Sequence, residues 1–198
     1  RGCVPGAIVT NDELPKAFPD INEQHLVAEA SIKAPVESGG GDKKVIVVDC
    51  GMKENIWRHL QKLPVKLKRV PYNYDYTNEP FDGVFISNGP GDPMVCTETI
   101  SVLRKALQMQ KPIFGICLGS QLMGLAIGAK TYKLRFGHRS QNQPCLQIGT
   151  ERCFLTSQNH GYAIDESSLP KEWRVTFRNL NDNTVQGIEH ETLPYFSV

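Results

Sequence analysis

No stretch of this sequence approaches the roughly 20 consecutive apolar residues that a membrane-spanning helix needs, so no helical membrane span is expected. Charge of one sign is also lacking. The 22 Lys and Arg are matched by 21 Asp and Glu, a formal net charge of +1, which argues against a nucleic-acid partner or a polybasic membrane surface. There is no CxxC pair among Cys3, Cys50, Cys96, Cys117, Cys145 and Cys153. Their irregular spacing argues against a zinc site, and no metal site is expected. A domain of this size does not need disulfide staples, so free thiols in a reducing, cytoplasmic compartment are expected. A GxxxxGK[ST] loop is missing, which argues against P-loop nucleotide binding in this chain. Signal-peptide features are absent, and the chain opens on Arg1, which suggests a processed chain or a piece of a larger one.

What remains is the composition of a globular protein, 40% hydrophobic and 22% charged over 198 residues. Residues 1–42 are rich in Pro, Gly and polar groups and run into SGGGDKK, the composition of a flexible linker. The ordered pattern starts at VIVVDC (45–50), a β-branched run expected of a strand buried on both faces. ENIWRHLQKL (54–63) carries Ile56, Leu60 and Leu63 at helical spacing and is stopped by Pro64. VKLKRVPY and GVFISNGPGDP read as further strands, and TETISVLRKALQ (97–108) as a helix with Thr97 at its N-cap. PIFGIC reads as a fourth strand and SQLMGLAIGA as the helix after it. Alternating strands and helices imply an α/β fold with a mostly parallel sheet flanked by helices. After Ala129, KTYKLRF, RCFLTSQ, WRVTFRNL, VQGIEHE and PYFSV predict an antiparallel C-terminal extension on the sheet edge.

Within this frame GICLG (115–119) stands out. Where a strand turns sharply into a helix, neighbouring Cβ atoms collide, so glycines flank the corner residue. That residue is pushed out of the sheet at a helix N-terminus, where free N–H groups and the helix dipole are expected to lower a thiol's pKa and to hold an oxyanion. Cys117 therefore has the setting of a nucleophile; the competing reading is a buried structural cysteine in a packing corner.

Several longer motifs extend this. GICLGSQ (115–121), SNGPGDP (87–93), GAKTYKLRFGHRSQNQP (128–144), TSQNHGYAID (156–165) and VDCGMKENI (48–56) occur in order. With them the chain resembles the class I, triad-type glutamine amidotransferases, most closely the glutaminase domain of glutamine-hydrolysing carbamoyl-phosphate synthetases. The resemblance covers nearly the whole chain. Residues 1–42 resemble the tail of a preceding N-terminal domain with its connection, and residues 43–198 the amidotransferase domain. It implies the flavodoxin-like sheet of that family and hydrolysis of glutamine to glutamate and ammonia through a cysteine thioester.

Residue by residue, the resemblance makes Cys117 the nucleophile and the backbone N–H groups of Leu118 and Gly91 the oxyanion donors. It assigns Gly89 and Gln121 to substrate holding, and Asn159, Gly161 and Tyr162 to the amino and carboxylate end of glutamine. Phenylalanine is common at the Tyr162 position. Blander roles compete: Gly89 and Gly91 as turn closers, Gln121 as a surface residue of the first helical turn, Asn159 as a local turn former. His160 adjoins the binding segment and is not the triad histidine; a packing or interface role is expected for it. His138 and His190 are expected to be solvated or structural.

The family's triad histidine and glutamate lie in an HPE tripeptide just past the strand matched by PYFSV. The chain ends at Val198, so both are absent from it. The expectation is a fragment whose parent carries the motif, itself weakly active or inactive. The resemblance further implies a partner, either a synthetase large subunit or a fused synthetase domain holding ATP and magnesium. This domain would have no cofactor of its own and would feed pyrimidine or arginine and urea synthesis, in mitochondria if the parent is of the urea-cycle type. The alternatives are an impaired regulatory or docking domain of the same synthetase, or the glutaminase of another amidotransferase.

Overall fold

The computed structural model describes residues 6–10, 15, 17–18 and 24–198. Cys3 lies outside them, as does most of the segment read as the tail of a preceding domain. The core strands are β2 (Lys44–Asp49), β3 (Lys66–Pro71), β4 (Gly83–Ile86) and β5 (Ile113–Gly115). They pair in parallel in the order β3-β2-β4-β5. Helix α2 (Glu54–Leu60) lies between β2 and β3, α3 (Thr97–Leu107) between β4 and β5, and α4 (Leu118–Ala126) follows β5. The β-branched runs behave as their composition demands. Ile46, Val48, Val84, Ile86 and Ile113 pack with Leu103, Leu118 and Leu122 into one cluster. Val47, Leu67 and Phe85 face the opposite way, against Met52 and Trp57. Each such aliphatic side chain taken from water contributes about 1.5–3 kcal/mol before entropy is counted.

The C-terminal part is antiparallel: β6 (Lys130–Gln147), β7 (Cys153–Asp165), β8 (Trp173–Asn179) and β9 (Val185–His190). One piece departs from expectation. PYFSV does not belong to the extension alone: β10 (Tyr195–Ser197) pairs in parallel with β5 and antiparallel with β9. It joins both halves into one ten-stranded sheet, β1-β3-β2-β4-β5-β10-β9-β8-β6-β7. The parallel part, β3-β2-β4-β5-β10, has the flavodoxin-like order that the resemblance implies.

Three local readings need correction. The glycine-rich stretch is not a free linker: β1 (Val36–Gly39) pairs antiparallel with β3. Gly39 (φ +76°) and Gly41 (φ +129°) then turn the chain so tightly that any Cβ there would sit 2.4 Å from the Val65 carbonyl oxygen and 2.3 Å from that of Pro64. Just before it, the short helix α1 (Leu26–Ala30) buries Val27 in the core. Thr97 is the first residue of α3, not its cap; Cys96 occupies the cap position and Thr97 Oγ1 bonds Glu98. Helix α2 ends at Leu60, and Leu63 lies half exposed in the following turn.

Candidate active site

In a parallel sheet of this order the crevice opens beyond the carboxyl ends of the strands, where the strand order reverses, here between β2 and β4. The loops that meet there are residues 50–53 after β2, 87–92 after β4 and 116–117 after β5.

The first loop is held by a buried ion pair. Asp49, with no exposure to solvent, accepts the amides of Gly51 (2.7 Å) and Met52 (2.8 Å) on one oxygen. Its other oxygen takes the Arg69 guanidinium at 2.7 Å. Arg69 also bonds Glu54 at 2.9 Å and lies over the Trp57 ring. Charges buried this far require such full pairing. The second loop is tied to the first, since Cys50 N donates to Ser87 Oγ (2.9 Å) and Lys53 N to Asn88 Oδ1 (3.2 Å).

The third loop carries Cys117, at φ 54° and ψ −106°, immediately before α4. A non-glycine residue in that region is strained by about 1–3 kcal/mol and persists only where its surroundings over-determine it. Those surroundings are visible. A Cβ on Gly115 would lie 2.6 Å from the Gly119 carbonyl oxygen, and one on Gly119 2.3 Å from that of Ile86. Helix α4 thus starts directly against the sheet, as the two glycines predicted. The amide of Cys117 donates to the carbonyl of Val198 at 2.7 Å.

The electrostatics correct one expectation. Burial pushes the Cys117 thiol above its ordinary pKa; a hydrogen bond from the Leu118 amide and the positive charge of Lys53 pull it down but do not prevail. The helix start favours the thiolate, yet the apolar cover costs more. Burial likewise drives Cys96 up to about 12 and Cys50 well above the usual range. Cys50, Cys96, Cys117, Cys145 and Cys153 are free thiols.

Beside Cys117 lies a cleft of about 540 Å³, walled on the far side by the β6–β7 hairpin. Cys117, Gln121, Asn159 and Tyr162 all line it, as expected of one site. Gln121 is not a surface residue: it is 7% exposed, and its amide nitrogen donates to the Tyr162 carbonyl at 2.9 Å. That bond ties α4 to the 159–162 segment. Gly161 is half-buried between these residues without lining the cleft. Gly89 backs the site. A Cβ there would meet the Cys50 carbonyl oxygen at 2.1 Å and Leu118 Cδ2 at 2.6 Å. Gly91 takes φ +87° in the same loop, but its nearest side chain is Leu26 of α1, and it does not line the cleft.

The sequence reading missed Lys53, whose charge reaches the thiol from the first loop. It also missed a polar cluster in the hairpin wall, built from His138, Gln158, His160 and Asp182. A period of two put Gln158 and His160 on one face of β7, a signal that was present. His138 is buried, as a structural histidine would be, and is not solvated. His190 Nδ1 accepts the amides of Thr192 and Leu193 and closes a turn. Among the described residues no imidazole hydrogen-bonds the thiol, no group of three or more His, Cys, Asp or Glu could hold a metal ion, and no helix is long and apolar enough to cross a membrane.

Comparison with known proteins identifies the family. The family model described as glutamine amidotransferase class-I matches residues 46–198. The multifunctional protein CAD of Squalus acanthias is 49% identical over 203 residues, which cover 100% of this chain and 9% of that protein. The carbamoyl phosphate synthase arginine-specific small chain of Aspergillus oryzae is 50% identical over 187 residues, 92% of this chain and 42% of that one. The chain thus spans less than half the length of either relative. Among solved structures, a Thermoplasma acidophilum protein named for GMP synthase superposes with a TM-score of 0.68 at 25% identity. That match covers 79% of this chain and 82% of the other.

Proposed function

The chain belongs to the class I glutamine amidotransferase family, and from that premise we propose that it is the glutamine-hydrolysing domain of a carbamoyl-phosphate synthetase. The observation that carries the reading is Cys117, held at a strained corner at the start of α4 and opening into a cleft that it shares with Gln121, Asn159 and Tyr162.

In the reaction, the Cys117 sulfur forms a bond to the side-chain carbonyl carbon of glutamine as its own proton passes to a base. The carbonyl electron pair moves onto oxygen, where the Leu118 amide, already directed at the thiol, is placed to receive charge; the resemblance assigns the second donor to the Gly91 amide, although Gly91 does not line the cleft. Collapse of this adduct breaks the C–N bond, and the base returns the proton so that ammonia leaves. Water then cleaves the thioester, giving glutamate and the free thiol. Because burial raises the Cys117 pKa, the nucleophile depends on that base. The resemblance locates it in a histidine–proline–glutamate segment past β10. A chain continuing beyond Val198 emerges beside the thiol, since the Val198 carbonyl is bonded to the Cys117 amide.

Ammonia would pass to a synthetase partner, fused or separate, as the two relatives named for such enzymes suggest. ATP and magnesium belong to that partner, and the glutaminase domain itself uses no cofactor. A cytoplasmic location is part of the same reading. The test is labelling with a diazo-oxo analogue of glutamine in a chain extended past Val198. A covalent adduct on Cys117 that glutamine suppresses, together with ammonia release abolished by Cys117→Ser, is the expected result. No adduct and no ammonia would favour a regulatory or docking domain instead.

A further inference from the structure

The polar cluster in the cleft wall has a protonation state fixed by its hydrogen bonds. The Thr156 hydroxyl donates to the carbonyl of Gln143 at 3.0 Å. The group that Gln158 presents to Thr156 Oγ1 at 2.9 Å must therefore be its NH₂, which also reaches Cys145 Sγ at 3.1 Å. The Gln158 oxygen is thereby turned toward two imidazoles, 2.8 Å from His138 Nδ1 and 3.0 Å from His160 Nε2. Those two nitrogens are 3.1 Å apart.

The outer nitrogens face groups that only accept. His138 Nε2 donates to the Asp182 carboxylate at 2.7 Å, and His160 Nδ1 to the Tyr162 carbonyl at 2.9 Å. Were both rings neutral, each would commit its single N–H outward. Three lone pairs would then converge within 3.1 Å with no hydrogen between them. The amides of Asn179 and Gln186 approach His138 Nδ1 only to 3.5 Å. They are committed instead to Gln143 Oε1 (2.9 Å) and Thr184 Oγ1 (2.8 Å).

We infer that His138 and His160 together carry three ring protons, so that one imidazolium, countered by Asp182, is a standing part of the cleft wall and positions the Tyr162 carbonyl. That carbonyl receives both His160 Nδ1 and Gln121 Nε2. The chain Asp182–His138–His160–Tyr162–Gln121 thus connects the β8–β9 turn to the helix that begins at Cys117. Its functional half rests on the glutaminase reading. His138, Asp182 and His160 are positioning residues here, acting on the reacting groups through Tyr162 and Gln121. His138 is the ring in direct contact with the Asp182 carboxylate, at 2.7 Å, so the geometry places the charge there; burial keeps the His160 pKa below its usual value. The other titratable or charged groups facing the pair are Asp182 and Arg139; the Cys145 thiol meets the Gln158 amide instead. Although burial opposes it, hydrogen bonds from His138 and Thr184 hold the Asp182 carboxyl below its ordinary value.

Nitrogen-15 NMR of this protein labelled at histidine, near neutral pH, reads the proton count directly and needs no activity. The expected spectrum has one buried ring protonated on both nitrogens and its neighbour neutral with hydrogen on Nδ1. Two neutral rings would overturn the inference and leave glutamine hydrolysis untouched. In the chain extended past Val198, Asp182→Asn should raise KM for glutamine about tenfold, the loss of roughly one charge-assisted contact. The same variant should change kcat by less than about twofold, and Asp182→Glu should restore KM. An unchanged KM in Asp182→Asn would overturn the positioning role. Failure of the extended chain to hydrolyse glutamine at all would sink the functional reading while the proton count stood.

Discussion

The amide of Cys117 donates to the carbonyl of Val198 at 2.7 Å, and the amide of Val198 returns a bond to Gly115 at 3.0 Å. The Cys117 corner is therefore clamped by β10, not only by its own glycines. A second bond reinforces the clamp: Ser120 Oγ on α4 lies 2.7 Å from Ser197 Oγ on β10, and both are buried. Fold and site share this junction, because β10 joins the antiparallel extension to the parallel core.

The serine pair can be weighed by a double-mutant cycle. Ser120→Ala and Ser197→Ala should each cost about 1 kcal/mol, since each strands a buried hydroxyl. The double variant should cost less than the two singles together by about 0.5–1 kcal/mol. Urea denaturation reads all four proteins; strict additivity would mean that the hydroxyls do not interact.

Strain at the corner predicts a strong preference for glycine. Cys117 is the N-cap of α4, where glycine already outranks alanine, and the positive φ adds to that preference. At Cys117, with φ 54° and ψ −106°, Cys117→Gly should be more stable than Cys117→Ala by about 1–3 kcal/mol. In a chain extended past Val198, neither variant should release ammonia from glutamine. Equal melting temperatures would show that the corner is not strained, and the rationale for its paired glycines would go with it.

Much of this was legible in the sequence, for identifiable reasons. The corner could be read because Gly115 answers a steric demand within five residues, the Gly119 carbonyl, although the clash that Gly119 avoids is with Ile86 on β4. The buried strands could be read because a doubly covered strand must be apolar throughout. Strand β1 was not legible: what holds Val36–Gly39 in the sheet is backbone pairing with β3, which leaves no mark on side chains. Strand β10 spans only Tyr195–Ser197, too short to show a period or to reveal that one of its neighbours runs parallel. The thiol's pKa was misread because the local part, the helix start, is written beside Cys117. Burial outweighs it, and the cleft beside the thiol is lined by residues far along the chain, such as Ile164 and Val185.

Acid should loosen the edge of the parallel sheet first. Glu79 receives Lys68 at 2.5 Å, the Tyr74 hydroxyl, and Lys44 at 3.2 Å, bracing residues 74–79 against β2 and β3. The Lys68 bond, then that of Tyr74, holds its carboxyl at about 2 instead of 4.5. A depressed carboxylate stabilises the fold fully above its unfolded value and loses that contribution as pH falls through the folded one. Stability should therefore decline between about pH 4.5 and pH 2. Glu79→Gln should flatten that decline and lower stability at neutral pH by about 1–2 kcal/mol, after allowance for solvent screening. Parallel denaturation curves for both proteins across this range would refute the assignment.

Lys53 tests the electrostatics of the thiol apart from catalysis. Burial raises the Cys117 pKa, and Lys53 is a named influence that lowers it from outside the helix start. Replacing it by methionine keeps the length of the side chain and its backbone bond to Asn88 but removes the charge. The thiol pKa should rise further, so that iodoacetamide alkylates Cys117 more slowly at any pH below that value, by about two- to tenfold. The exposed Cys153 serves as the internal reference and should react at an unchanged rate. In a chain extended past Val198, the alkaline shift should reappear in kcat/KM for glutamine, because the free enzyme's nucleophile titrates in that profile. An alkylation profile identical to that of the unmodified protein would leave the Leu118 amide as the sole counterweight to burial.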